Sequence, residues 1–250
     1  MELALYHPEH GYYSRALRDG GSPAIGRGGD FYTSVSVGET FGLLLAHRIA
    51  AVWEAEFDHA GPFVVVEQGG HDGRLARDIV AGLEEVGAPL LEQFEYRIVE
   101  PRESIRCRLE RDLGAEREDR IRVVGSLGEA RAPQGIFLCN ELLDAFPVDL
   151  LIYESGEWRE RWVGWCAEEN RPMWVSRPLR GEWAEWTASE LTGDYPEGYR
   201  TEVCLLVDVW MEEAAALFHR GLWWVIDYGY ERTDYYLPQR TTGTLRTYRQ

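Results

Sequence analysis

The 250-residue chain contains no lysine: all 26 basic residues are arginine, against 43 acidic residues, for a formal net charge of −17. We read this absence as codon usage in a GC-rich genome rather than as mechanism. The shortage of positive charge argues against a nucleic-acid partner, because a phosphate backbone is held by a basic footprint. A surplus of acid attracts a cationic ligand or a basic peptide instead, although most of these residues are expected simply to solvate the surface. Cysteine is scarce as well. Cys107, Cys139, Cys166 and Cys204 stand apart, without the paired spacing of a metal site, so no metal is expected and the thiols are read as reduced. The opening "MELALYHPEHGYYS" lacks the basic-then-apolar plan of an export signal, and no apolar run is long enough to span a bilayer. Repeats and low-complexity linkers are also missing. The expectation is a soluble protein of the bacterial cytoplasm with no membrane partner, and a homodimer is compatible with it.

What is present suits one large α/β domain with an insertion: 45% of residues are hydrophobic and 28% charged. The segment through "GRGGDFYTSVSVGETFG" (26–42) is dense in Gly, Ser, Thr and Tyr and reads as an ordered loop. It leads into a helix marked by Phe41, Leu44, Leu45, Ile49, Val52 and Trp53 at helical spacing. Strand and helix then alternate. "FVVVE" (63–67), "YRIVE" (96–100), "RIRVVGS" (120–126) and "GIFLCNE" (135–141) read as strands. Between them, Leu75, Ile79, Leu83 and Val86 line one helix, and "ESIRCRLERDL" (103–113) forms another. A helical "VCLLVDVWMEEAAALFHR" (203–220) precedes a fifth strand, "GLWWVIDYGY" (221–230). This order predicts a doubly wound, mostly parallel sheet. Within residues 150–179 the pattern becomes a hairpin turning at Ser155-Gly156, followed by a third strand, "RPMWVSRPL". Trp158, Trp162, Trp165, Trp174, Trp183 and Trp186 crowd this region. It reads as an antiparallel insertion over the carboxyl edge of the sheet, its tryptophans either packing it down or forming a substrate lid.

The turn after the first strand, "EQGGHDG" (67–73), raises the question of its ligand. A glycine turn lets backbone approach a ligand at the positive end of the next helix. The dinucleotide pattern G-x-G-x-x-G fails, because Gln68 falls where its first glycine belongs. The E-x-G-x-G-x-G turn of S-adenosylmethionine enzymes fits Glu67, Gly69 and Gly73, with His71 in place of the middle glycine. A carboxylate there repels a pyrophosphate but suits a sulfonium and an ammonium. Glu100, ending the second strand, is placed to accept both hydroxyls of a ribose. More polar and acidic residues gather at the same edge: Asn140, Glu141 and Asp144 follow the fourth strand, Asp227 follows the fifth, and Asp30 lies in the "GGDFYTS" loop. For each of them, pairing in a structural network is the competing reading.

The ordered set "ALYHPEHGYYS", "GDFYTS", "FG", "EQGGHDGRLARDI", "NELLDAFPV", "DYGY" and "GTLRTY" resembles the MidA-like family of S-adenosylmethionine-dependent methyltransferases. The resemblance runs the length of the chain. It implies a Rossmann-like class I methyltransferase fold with an added subdomain, S-adenosyl-L-methionine as cofactor, and a protein or peptide arginine as acceptor. Residues 1–60 would be a cofactor-capping segment and helix, 61–147 the Rossmann-like core, 148–200 the tryptophan-rich insertion, and 201–250 the continuation of the core. By position, Glu67, Gly69 and Gly73 would form the cofactor turn, and Glu100 would hold the ribose. Ser126 and Leu127 would border the adenine, with Asn140 and Glu141 beside the methionine part. Asp30, Phe31 and Thr33 would close the site. Family members continue past "GTLRTY", so the chain reads as truncated. His71 stands where ligand and backbone ordinarily touch; it is left open whether the ring points away, stacks on the ligand or obstructs it.

Methyl transfer from a sulfonium to a guanidinium asks the protein for alignment and charge placement. The guanidinium, with a pKa above about 12, must shed a proton as it attacks. Paired carboxylates orient it and accept that proton, and Glu141 and Asp144, then Asp227, are the catalytic candidates. A fold that kept its shape but lost the cofactor to act as an assembly or scaffold protein is the rival reading; a nicotinamide-dependent oxidoreductase fits the turn poorly.

Overall fold

The structure is a computed structural model and describes residues 1–15, 34–57, 59, 61–113 and 120–246. In chain order its helices are α1 (Glu2–Tyr6), α2 (Tyr12–Arg15), α3 (Ser34–Val37), α4 (Thr40–Glu56), α5 (Arg74–Glu85), α6 (Glu103–Leu113), α7 (Gly181–Glu190), α8 (Leu206–Ala215) and α9 (Arg232–Tyr235). Its strands are β1 (Phe63–Gln68), β2 (Phe94–Val99), β3 (Ile121–Val124), β4 (Ala132–Asn140), β5 (Asp149–Glu154), β6 (Glu157–Cys166), β7 (Arg171–Pro178), β8 (Arg200–Val203) and β9 (Phe218–Ile226). They form two compact units, one comprising residues 6–145 and 207–227, the other residues 1–5, 146–206 and 228–250.

The first unit is the expected doubly wound sheet. Its five strands are all parallel, in the order β3-β2-β1-β4-β9. The run Phe63-Val64-Val65-Val66 has no exposed surface, which is why it lacks the alternation of a half-wet strand. Phe63 and Val65, with Tyr96, Ile98, Ile136 and Leu138, pack on the apolar stripes of α4, α5 and α6. On the opposite face Phe137 meets Trp210 of α8, with ring centroids 5.7 Å apart. Gly135 and Gly221 pair across β4 and β9 beside the ring of Phe218; a methyl group on Gly135 would lie 2.0 Å from the Val64 carbonyl oxygen. The order in which strands are added reverses between β1, which continues outward through β2 and β3, and β4, which continues through β9 on the other side. The gap beyond the carboxyl ends of β1 and β4 is therefore the switch point where such sheets take ligands.

The second unit carries an antiparallel sheet, β7-β6-β5-β8. The β5–β6 hairpin does turn at Ser155-Gly156, both with positive φ (55° and 80°), the twist a two-residue hairpin needs. Leu151, Trp183, Leu191 and Val203 form its core, with Trp158 and Trp186 packed against them. Glu160 is buried and held by Arg180 and the Trp162 indole N–H. Packing thus accounts for Trp158, Trp183 and Trp186, but Trp165 and Trp174 are half exposed or more.

Several sequence expectations need correction. The helix read over 203–220 is shorter: α8 starts at Leu206, ends at Ala215, and Phe218–Arg220 already belong to β9. Leu44 and Val86 lie on the exposed side of their segments, so each stripe is narrower than the periodicity suggested. α7 and β8 were not anticipated. No helix among the described residues is long and apolar enough to cross a membrane.

Candidate functional site

β1 delivers the chain into the turn 69–73. Gly69 (φ 86°) and Gly73 (φ 71°) are in the left-handed region, and the Gly73 N–H donates to the Gly70 carbonyl, 2.7 Å. A side chain on Gly69 would press on Leu142 Cδ1 at 3.2 Å, so the turn and the loop after β4 lie close together across the switch point. His71 also has positive φ (46°), a conformation costly for a residue with a Cβ. Its ring is 33% exposed, and its Nδ1 lies 3.9 Å from the Asp72 carboxylate. Burial opposes the charge on Asp72, but the neighbouring His71, the hydrogen bond from the Arg74 N–H and the Arg77 charge outweigh it and bring the carboxyl down to about 2.

Glu67 does not stand open at the strand's end. It is 3% exposed, tucked beneath Gly70, and its Oε2 accepts the Tyr96 hydroxyl at 2.9 Å. Burial raises its carboxyl to about 7 despite that hydrogen bond. Glu67 therefore supports the glycine turn from below.

Glu100, 6% exposed, sits at the end of β2 as expected, but it has a partner that the sequence reading missed. Its Oε1 accepts the Arg102 backbone N–H (2.9 Å) and Nε (2.8 Å), and its Oε2 accepts Arg102 Nη2 at 3.2 Å. Ser126 is exposed and occupied in a capping arrangement: its hydroxyl donates to Glu129, which also accepts the Gly125 N–H, and in turn accepts the Glu129 N–H. Leu127 beside it is buried.

The loop after β4 brings the three catalytic candidates together. Glu141 takes positive φ (50°), and its N–H donates to the Ile226 carbonyl of β9 at 2.8 Å. Asp227 accepts the Leu143 N–H at 2.9 Å, capping the short 3-10 turn Leu143–Ala145. Burial first, then the charges of Asp144 and Asp227, raise the Glu141 carboxyl above the ordinary range, although Asn140 and the Ser34 backbone hydrogen-bond to it. Ser34 Oγ reaches Asn140 Oδ1 at 3.5 Å, so the start of α3 lies at this edge. Cys139 beneath them is buried, and its thiol is pushed up to about 12 by burial and by Asp227 and Glu67, which excludes a thiolate nucleophile at neutral pH. Asp30, Phe31 and Thr33 lie outside the described residues.

The amino-terminal segment supplies two residues that strand-end reasoning missed. Tyr6 donates to the Ala145 carbonyl at 2.5 Å and stacks on Tyr13, centroids 5.5 Å apart. Burial raises both phenols, and both feel Arg102 on one side and Asp144 on the other. The pair therefore lies between the ends of β2 and β4. In the sequence both tyrosines lie in the motif "ALYHPEHGYYS".

A family model described as "Putative S-adenosyl-L-methionine-dependent methyltransferase" matches residues 44–250. The chain is 27% identical over 179 residues to the Drosophila melanogaster "Protein arginine methyltransferase NDUFAF7 homolog, mitochondrial", covering 64% of this chain and 39% of the relative. Among solved structures it resembles a COG1565 superfamily member and likely methyl transferase from Burkholderia thailandensis bound to S-adenosyl-homocysteine. The TM-score is 0.79 at 33% identity, over 97% of this chain and 60% of that one. An uncharacterized COG1565 superfamily protein from the same organism gives a TM-score of 0.77 at 30% identity, over 97% and 59%. The chain thus spans well under two thirds of the length of these relatives.

Proposed function

The chain belongs to a family of putative S-adenosyl-L-methionine-dependent methyltransferases, and on that premise we propose that it binds S-adenosyl-L-methionine beyond the carboxyl ends of β1 and β4 and methylates an arginine side chain of a protein. The observation that carries this reading is the acidic group Glu141, Asp144 and Asp227, close enough that the charges of its neighbours raise the Glu141 carboxyl. Like charges gathered at a switch point form a field complementary to a cation, and the proposed cofactor carries both a sulfonium and an ammonium. The residues fit such a ligand: a glycine turn on one side, an acid at the end of β2 for a ribose, and carboxylates where positive charge would lie. When bound, the cofactor supplies a methyl group already activated by its sulfonium.

The rest of the work falls to the protein's own groups. Gly69, Gly73 and the backbone between them admit the ligand closely, and Glu67 keeps the turn in place. Glu100 binds the sugar, Ser126 and Leu127 border the base, and Asn140 orients Glu141. Glu141 and Asp144 grip an incoming guanidinium by charge-assisted hydrogen bonds. Burial and the neighbouring acids raise the Glu141 carboxyl, which suits it to accept the proton the guanidinium sheds. Arginine as the acceptor is supported by this carboxylate pairing and by the name of the Drosophila relative.

The test is calorimetric titration with S-adenosyl-homocysteine, followed by transfer of labelled methyl groups to arginine-containing peptides with the modified residue identified by mass spectrometry. Binding is expected, and Glu141→Gln with Asp144→Asn is expected to cut transfer at least 100-fold. No heat at millimolar ligand overturns the cofactor assignment; label on a residue other than arginine overturns the acceptor.

A further inference from the structure

The antiparallel sheet of the second unit ends in a two-stranded arm. β5 pairs with β6 only as far as Arg161, whereas β6 and β7 stay paired out to Cys166 and Arg171. Residues opposite one another across an antiparallel pair share a face of the sheet. Arg161, Val163 and Trp165 of β6 therefore share theirs with Trp174, opposite Val163, and Pro172, opposite Trp165. Val163, Trp165 and Trp174 are each at least half exposed. Single exposed apolar residues are ordinary, but three adjoining ones on one face of a ribbon mark a contact surface.

The free edge of the arm is unsuited to a partner. β7 is the last strand of its sheet and carries Pro172 and Pro178 with Arg171 and Arg177. Proline removes the N–H that an added strand needs, and charge along an edge opposes edge-to-edge pairing. A partner therefore lies across the face and meets side chains, and their charge selects it. The Arg161 guanidinium carbon lies 4.2 Å from the centre of the Trp174 ring, over its face. Neither Arg161 nor Arg200 of β8 makes an ion pair among the described residues. Burial, then the charge of Arg200, lowers the Arg161 guanidinium against the pull of Glu154, so the two cations stand near one another. Other acids of this face are engaged: Glu157 pairs with Arg159, and Glu202 is buried and accepts the Thr244 N–H and hydroxyl. Two cations thus flank an apolar patch on a chain of net charge −17.

Size and charge narrow the partner further. The two-stranded end covers about 17 Å by about 10 Å, far below the roughly 800 Å² per partner that a stable dimer buries. A nucleic-acid strand would meet the repulsion of the whole acidic chain, whereas a short acidic segment brings little charge into that field. We propose that the face of the β6–β7 arm bearing Val163, Trp165 and Trp174, flanked by Arg161 and Arg200, docks a short segment of a protein partner in which apolar side chains are bordered by carboxylates. This goes beyond the methyl-transfer reading and does not depend on it.

The test uses the whole chain and the fluorescence anisotropy of a dye-labelled peptide of about nine residues, glutamates around a leucine-phenylalanine-leucine core. Saturable binding is expected, and it should weaken at least about fivefold as salt rises from about 50 to about 300 mM. Trp165→Ser combined with Trp174→Ser should weaken it at least about tenfold, as loss of central aromatic anchors does, and Arg161→Gln about three- to tenfold. Arg177→Gln removes the same charge from the opposite face of the arm and should leave binding unchanged; an equal loss there overturns the choice of face. If the double tryptophan variant does not fold, Trp165→Ser alone serves, its side chain being 62% exposed. The proposal is overturned by no binding at about 1 mM peptide, by tighter binding of a short thymidine oligonucleotide than of the peptide, or by a concentration-dependent dimer in sedimentation velocity that the tryptophan substitutions abolish.

Discussion

Replacing Glu67 with glutamine tests the buried support of the glycine turn. The carboxyl is 3% exposed, and its pKa stands at about 7 against an ordinary 4.5. Such a shift means that the fold disfavours the ionised form by roughly 3 kcal/mol. The sign follows from where the proton sits. Between pH 4.5 and 7 the native state keeps a proton that the unfolded chain has released, so stability from the protonated carboxyl is full below 4.5 and is lost as pH rises to 7. Glutamine keeps the acceptor for the Tyr96 hydroxyl but does not titrate. The stability difference between variant and native protein should therefore move by about 2 kcal/mol in favour of Glu67→Gln between pH 5.5 and pH 8. Urea unfolding followed by tryptophan emission at the two pH values gives this double difference, and groups common to both proteins cancel. A difference that does not change with pH, or one that moves against the variant as pH rises, would refute the argument that burial governs this carboxyl.

Two further substitutions probe backbone geometry. His71→Gly should leave stability unchanged or raise it by up to about 1 kcal/mol, because relief at φ 46° offsets the added freedom of the unfolded chain; a loss larger than about 1 kcal/mol in urea unfolding would show that the turn is not strained. Gly135→Ala should cost at least about 3 kcal/mol, since the new methyl lies 2.0 Å from the Val64 carbonyl oxygen and 2.7 Å from the Phe218 ring; a thermal melting point within a few degrees of the native protein would show that β1 and β4 yield more easily than a packed sheet should.

The parallel sheet was legible because its strands are buried on both faces. A run such as Phe63–Val66 can face core on either side, and the acid or glycine that follows marks the ligand edge. The end of α8 was not legible. Hydrophobic residues continue from Leu206 through Trp224, and no glycine or proline marks the change from helix to strand until Gly221. β8, four residues of "RTEV", is too short to show a period. In the site, strand-end position pointed to Glu141, Asp144 and Asp227, which the fold places near one another. It could not show that Asp227 also caps a turn, or that Glu67 turns beneath the chain rather than out toward a ligand. Nor could it bring Tyr6 and Tyr13 to the ends of β2 and β4, because that placement depends on contacts between residues more than a hundred positions apart.

The two ends of the site differ in charge in a way that bears on ligand direction. At the end of β2, Glu100 is matched by Arg102, so that corner is close to neutral and offers hydrogen bonds without attracting ions. At the end of β4, Glu141, Asp144 and Asp227 lie near one another, and burial with the neighbouring acids raises the Glu141 carboxyl. A molecule with a neutral sugar at one end and cationic groups at the other would find only one favourable orientation, with sugar over Glu100 and Arg102 and cation toward Glu141. Reversed, it would bring a cation against Arg102. On this argument the same carboxylates that prepare a guanidinium for attack also set the donor's direction. Their removal should therefore weaken cofactor binding as well as slow transfer.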